Sequence, residues 1–82
     1  MDEKQAVRNV MYEKRITQTE LAEKAGFKAQ SNIASLLSPT RKGIQFDNLF
    51  RIINALGCEL VIRDKEDPTM VWPIAKSSSS EQ

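Results

Sequence analysis

The stretch Ile16-Thr17-Gln18-Thr19-Glu20-Leu21-Ala22-Glu23-Lys24-Ala25-Gly26 decides how this chain is read. Thr17 is a good helix N-cap, and Glu20 is placed to complete a capping box, in which each side chain satisfies the other residue's backbone N–H. Leu21, Ala22 and Ala25 supply the apolar positions of the helix, and Gly26 can end it in the left-handed conformation. A further helix is predicted from about Gln30 to Leu37, turning Ile33, Leu36 and Leu37 inward. It stops before Ser38-Pro39, because a residue preceding proline avoids helical angles. Two short helices joined across a glycine corner have the geometry of a helix-turn-helix. Ala22 is small where the two must pass closely, and Ile33 fills the space between them. An ordinary helical hairpin has the same corner, so geometry alone leaves both readings open.

Outward from this corner, Glu3 to Arg15 places Ala6, Val7, Val10 and Met11 on one stripe at helical spacing. Phe46 to Leu56 carries a broader stripe of Phe46, Leu49, Phe50, Ile52, Ile53 and Leu56, closed by Gly57. The period then changes. Cys58-Glu59-Leu60-Val61-Ile62-Arg63 is rich in β-branched residues and roughly alternating, which predicts a strand. Asp64 to Pro68 reads as a solvated turn, and Thr69–Ile74 as a second short strand or an extended arm. A lone strand or isolated hairpin is marginal in water, and the simplest remedy is pairing with the same strand of a second copy. Leu60, Val61, Ile62 and Arg63 are therefore candidate dimerisation residues, with Trp72 covering the dimer core; the alternative is a monomer whose strand folds back on its own helices.

Composition narrows the function. Eighty-two residues suffice for one small domain, and 40% apolar with 28% charged residues is an ordinary soluble balance. No apolar run approaches the length of a membrane span, and no signal-peptide pattern opens the chain, so a cytoplasmic protein is expected. The single cysteine excludes an internal disulfide, and the absence of histidine removes Ser-His-Asp and Cys-His catalysis and His-ligated zinc. Cys58 reads as a small apolar residue at a helix–strand junction, with no basic neighbour to make it reactive. No metal or cofactor site and no enzymatic activity are expected. Residues 1–57 carry nine basic and six acidic side chains, a surplus of three; residues 58–82 carry three basic and five acidic ones, a deficit of two. Such a body permits nucleic-acid binding without demanding it.

The Thr17-Gln18-Thr19-Glu20-Leu21-Ala22-Glu23-Lys24-Ala25-Gly26 run, together with Ile53-Asn54-Ala55-Leu56-Gly57, closely resembles the phage Cro/repressor-type (XRE) helix-turn-helix family over about residues 5–57. The resemblance implies a mainly α, lambda-repressor-like fold of four helices, here with a C-terminal β-strand that pairs across a dimer. Residues 1–57 would form the DNA-binding domain, 58–76 the strand and dimerisation arm, and 77–82 a disordered tail. It further implies a recognition helix, starting near Gln30, in the major groove of double-stranded DNA. Gln18 matches the family position that touches a phosphate and braces that helix. Gln30, Ser31, Asn32 and Ser35 are the base-edge candidates, while Lys28, Arg41 and Lys42 flank them within reach of phosphates.

Gly26 to Ile33 encloses six residues where that family usually has five, which bears on the register of the base contacts. A fourth helix running straight into a strand resembles the HipB-type antitoxin regulators, whose C-terminal strands pair between subunits. The function implied is a homodimeric repressor at a palindromic operator. Its alternative is an antitoxin that also binds a toxin, for which Met70, Val71 and Trp72 offer an apolar surface.

Overall fold

The computed structural model describes residues 2–75. Its order is α1 (Glu3–Lys14), α2 (Gln18–Ala25), α3 (Gln30–Leu36), α4 (Phe46–Ala55), β1 (Leu60–Arg63) and β2 (Val71–Ile74). The fold is mainly α, four short helices followed by one two-stranded antiparallel sheet. None of the helices is long and apolar enough to cross a membrane among the described residues.

The helix boundaries follow local chemistry. Asp2 caps α1 by accepting from the N–H of Gln5 at 2.9 Å. Thr17 and Glu20 form both halves of the capping box on α2, at 2.9 and 3.1 Å. The Thr17 backbone N–H, and after it the Thr17 side chain, hold the Glu20 carboxyl below the ordinary glutamate range. Its contribution is present above that range and is lost as pH falls through the depressed value.

Helices α1, α2 and α4 end alike. The residue after the last turn is left-handed, at Arg15 (φ 57°), Gly26 (φ 81°) and Gly57 (φ 76°), and the next N–H bonds back to Met11, Ala22 and Ile53 respectively. In each case the following residue, Ile16, Phe27 or Cys58, packs against the core, as this motif requires. Arg15 adopts this conformation without glycine's freedom, at a cost of roughly 1 kcal/mol.

Leu21, Ile33, Leu37, Ile52 and Leu56 are completely buried, and Val7, Met11, Ala22, Leu36, Ile44 and Phe50 surround them. α2 is the hub, packed on both α3 and α4. The stripe expected on α4 is narrower than its sequence suggests. Phe46 is 52% exposed, its ring stacked on that of Phe50 at 5.9 Å. As the first residue of the helix, it has no preceding turn to cover it.

Cations from neighbouring helices close the C-terminal ends of three helices. Arg51 of α4 donates from Nε and Nη2 to the Ala25 carbonyl of α2, at 3.1 and 2.9 Å, with its guanidinium 4.1 Å from the centre of the Phe27 ring. Arg8 of α1 donates to the Leu37 carbonyl at 2.7 Å, and buried Lys4 donates to the carbonyls of Ser38 (2.6 Å) and Arg41. Lys14 donates to the Leu56 carbonyl at 2.5 Å. Positive charge is favoured at these ends, where unpaired carbonyls concentrate the negative pole of the helix.

The sheet forms within one chain. β1 pairs with β2 in the register Leu60↔Ile74, Val61↔Pro73, Ile62↔Trp72 and Arg63↔Val71. Asp64 to Pro68 makes the intervening turn with its own carboxylates, Asp64 accepting from the Glu66 N–H at 2.8 Å and Asp67 from Thr69. The Asp64 N–H bonds to the Met70 carbonyl at 3.1 Å, which fixes the alternation along the ladder. Ile62↔Trp72 and Leu60↔Ile74 are hydrogen-bonded pairs, while Val61, Arg63, Val71 and Pro73 turn their backbone groups away from the partner strand. Pro73 sits where no ladder donor is needed. The strand expected over 58–63 and the extended segment over 69–74 are thus each other's first partners. The tail expected from residue 77 lies outside the described residues.

Candidate nucleic-acid interface

The local chemistry of α2 and α3 sets the geometry of this face. Gly26 turns the chain, and Phe27–Ala29 leads to Gln30, the first residue of α3. Phe27 is pinned from both sides, its N–H donating to Ala22 at 2.9 Å and its ring lying under Arg51. A side chain at Gly26 would adopt a strained φ and bring a Cβ to 3.3 Å from Arg51 Nη2. With Ile33 and Leu36 buried on the inner side, α3 exposes Gln30, Ser31, Asn32, Ala34 and Ser35.

Three of these side chains are already engaged. Gln30 Nε2 donates to Gln18 Oε1 at 2.7 Å, joining the first turns of α2 and α3. The bond holds the Gln30 carboxamide by its donor end and leaves its Oε1 and remaining N–H directed to other partners. Asn32 Oδ1 accepts the Ala29 N–H at 3.0 Å, capping an α3 N-terminus whose cap residue has no polar side chain of its own. The bidentate adenine contact expected of Asn32 therefore competes with a backbone amide, and only its amide donors are unengaged. Ser35 Oγ accepts from Arg41 Nη1 at 3.4 Å.

α3 carries no charged side chain, so positive charge lies at its ends. Lys28 is exposed ahead of it, and Arg41 and Lys42 are exposed beyond it. The segment bearing Arg41 and Lys42 is held from behind by α1. Arg8 and Lys4 bind the carbonyls of residues 37, 38 and 41, and Glu3 Oε2 accepts the Ile44 N–H at 3.2 Å. Ser38 and Thr40 close the turn between them, with their hydroxyls 2.9 Å apart.

The eight residues expected to meet DNA thus fall in two hydrogen-bonded pairs, Gln18–Gln30 and Ser35–Arg41, and four separate exposed side chains, Lys28, Ser31, Asn32 and Lys42. Sequence reasoning overlooked Ala34, exposed among the polar residues of α3 and suited to apolar contact with a thymine methyl. It also overlooked Asn48, which borders the same hollow as Asn32, Ser35 and Arg41. Lys4 and Arg8 were overlooked as well; their signal is a pair of cations one helical turn apart beside the apolar stripe of α1. Of the expected dimerisation residues, Leu60 to Arg63 form β1 and Trp72 stands across from Ile62 on β2.

Compared with known protein families, residues 6–61 match the Cro/C1-type HTH DNA-binding domain, a span running from α1 into β1. Neither the curated proteins nor the solved structures contain a match.

Proposed function

The chain belongs to the Cro/C1-type helix-turn-helix DNA-binding family, and from that premise we propose that it is a homodimeric repressor reading an inverted-repeat operator through α3. The observation that carries this reading is the Gln18–Gln30 hydrogen bond. It fixes a carboxamide, a group suited to adenine, at the exposed start of a helix whose own surface is uncharged and whose two ends are flanked by cations. In this reading Gln18, Lys28, Arg41 and Lys42 hold the phosphate backbone, while Gln30, Ser31, Asn32 and Ser35 face the bases.

Selection from random duplexes at roughly physiological salt tests the reading. An inverted repeat with half-sites about one helical turn apart is expected, and retention without sequence enrichment would count against it. Arg41→Ala is expected to lower the slope of log affinity against log salt by about one unit for each phosphate that each subunit no longer neutralises. An unchanged slope would leave Arg41 as a brace for Ser35 alone. Because the N–H of Val61 takes no part in the hairpin, Val61→Pro is expected to leave each chain folded and to dissociate the dimer in a sedimentation run. A variant that remains dimeric would place the interface elsewhere.

A second reading, an antitoxin that also binds a toxin, draws on the exposed hairpin residues Ile62, Met70, Val71 and Trp72, between 37% and 57% accessible. Stable co-purification with the product of an adjacent toxin-like gene would support it.

A further inference from the structure

We infer, building on the homodimer proposed above, that two copies pair along the outer edges of β1 in an antiparallel register centred on Val61, with Glu59 of each copy facing Arg63 of the other. The choice of edge comes first. On the outer side of β2 the backbone groups belong to Val71 and Pro73, and Pro73 has no N–H to offer, so that edge cannot sustain a ladder. On the outer side of β1 the corresponding groups belong to Val61 and Arg63, and Glu59 precedes them at the same spacing. No described residue pairs with them. An open edge beside a blocked one favours a single partner strand, and an identical β1 is self-complementary about a two-fold axis.

Charge then selects the register. Centred on Val61, the pairing sets Glu59 against Arg63 twice and Leu60 against Ile62 twice. Centred on Ile62, it sets apolar Leu60 against Asp64 and Glu59 against Lys65, which lies beyond the strand in the turn; centred on Arg63, it sets the two guanidinium groups against each other. Directly opposed unlike charges stabilise an antiparallel pair, and like charges destabilise it. Glu59 and Arg63 are both exposed, and neither makes an ion pair or side-chain hydrogen bond with any described residue.

The apolar residues agree with this register. Leu60 is half-buried at the border of an apolar groove of about 300 Å³ between α1 and α4, which Val10 and Ile53 also line. Ile62 projects from the same face of the strand but is 57% exposed, one pleat repeat beyond its own groove. Pairing about Val61 puts Ile62 of each copy beside Leu60 of the other, at the border of the partner's groove. The exposed Ile62 of each copy is thereby covered.

Glu59→Lys and Arg63→Glu, separately and mixed in equal amounts, test the register by sedimentation equilibrium at low salt, with circular dichroism to verify folding. Each variant alone opposes like charges twice per interface, and its self-association is expected to weaken by about tenfold or more. In the mixture the lysine introduced at position 59 of one copy would face the glutamate introduced at position 63 of the other. The unaltered Arg63 and Glu59 would face each other at the second pair, so dimerisation is expected to return. A wild-type protein that is monomeric throughout would overturn both the homodimer and this register. A dimeric wild type with either variant self-associating as tightly, or with a mixture that fails to recover, would overturn the register and leave the homodimer standing.

Discussion

Ile33→Ala is expected to destabilise the domain by about 3 kcal/mol, the middle of the range for removing a fully buried branched side chain. Ile33 has no solvent exposure and stands where α3 meets α2, the helix that also packs on α4. The surrounding side chains cannot readily close the void, because backbone bonds fix both sides of it. The Leu37 N–H bonds to the carbonyl of Ile33 itself, and the corner at Gly26 is clamped by Arg51. At roughly 0.05–0.15 kcal/mol per residue, a domain of this size is stable by only about 4–12 kcal/mol, so the loss is a large fraction of the whole. A fall in melting temperature of about 10–20 °C is expected in thermal circular dichroism at fixed protein concentration. A fall of only a few degrees would mean that α3 is not locked to α2 through this residue.

The second large effect concerns recognition. In the proposed complex, Gln30→Ala removes one carboxamide contact from each half-site, and each such contact is worth about 1–3 kcal/mol of discrimination. Affinity for the selected operator is expected to fall by about two to three orders of magnitude, with affinity for a random duplex nearly unchanged. Fluorescence anisotropy titrations on both duplexes at one salt concentration measure this. Gln18→Ala should damage operator binding by a related route, since Gln18 Oε1 holds Gln30 in place. The double variant is therefore expected to lose less than the two single losses together, as residues in one hydrogen-bonded unit do. Equal losses on operator and random DNA would remove Gln30 from base reading and leave it as a structural tie.

Much of the fold was legible because its signals are local. The Thr17–Glu20 capping box and the left-handed Gly26 and Gly57 act over a few residues, and they bound α2 and end α4 where the sequence places them. Arg15 was not legible as a left-handed residue, since nothing in its chemistry announces a conformation that glycine adopts more cheaply. Phe46 misled because helical periodicity describes a face and says nothing about which turn of that face has a neighbour.

At the candidate site, residue types indicated which side chains are exposed but not how they are engaged. Asn32 reads as a base-contacting residue by its chemistry, yet its oxygen serves a backbone amide because Ala29 brings no cap of its own. The ties from Lys4, Arg8 and Arg51 join positions 26 to 37 residues apart, and no local pattern encodes such a distance. The pairing of β1 with β2 was likewise left open by the sequence, since two short extended segments around an acidic turn fit a hairpin and a free arm equally well.

The closure of the α3 end by α1 gives the chain's lysines unequal chemical reactivity. An acylating reagent must reach an amine lone pair, and the amine of Lys4 is buried with its hydrogens directed at two carbonyls. Lys28 and Lys42 stand in solvent. Limited acylation followed by peptide mapping should therefore label those two long before Lys4. Any label that does reach Lys4 would report the moment at which the segment bearing Arg41 comes away from α1.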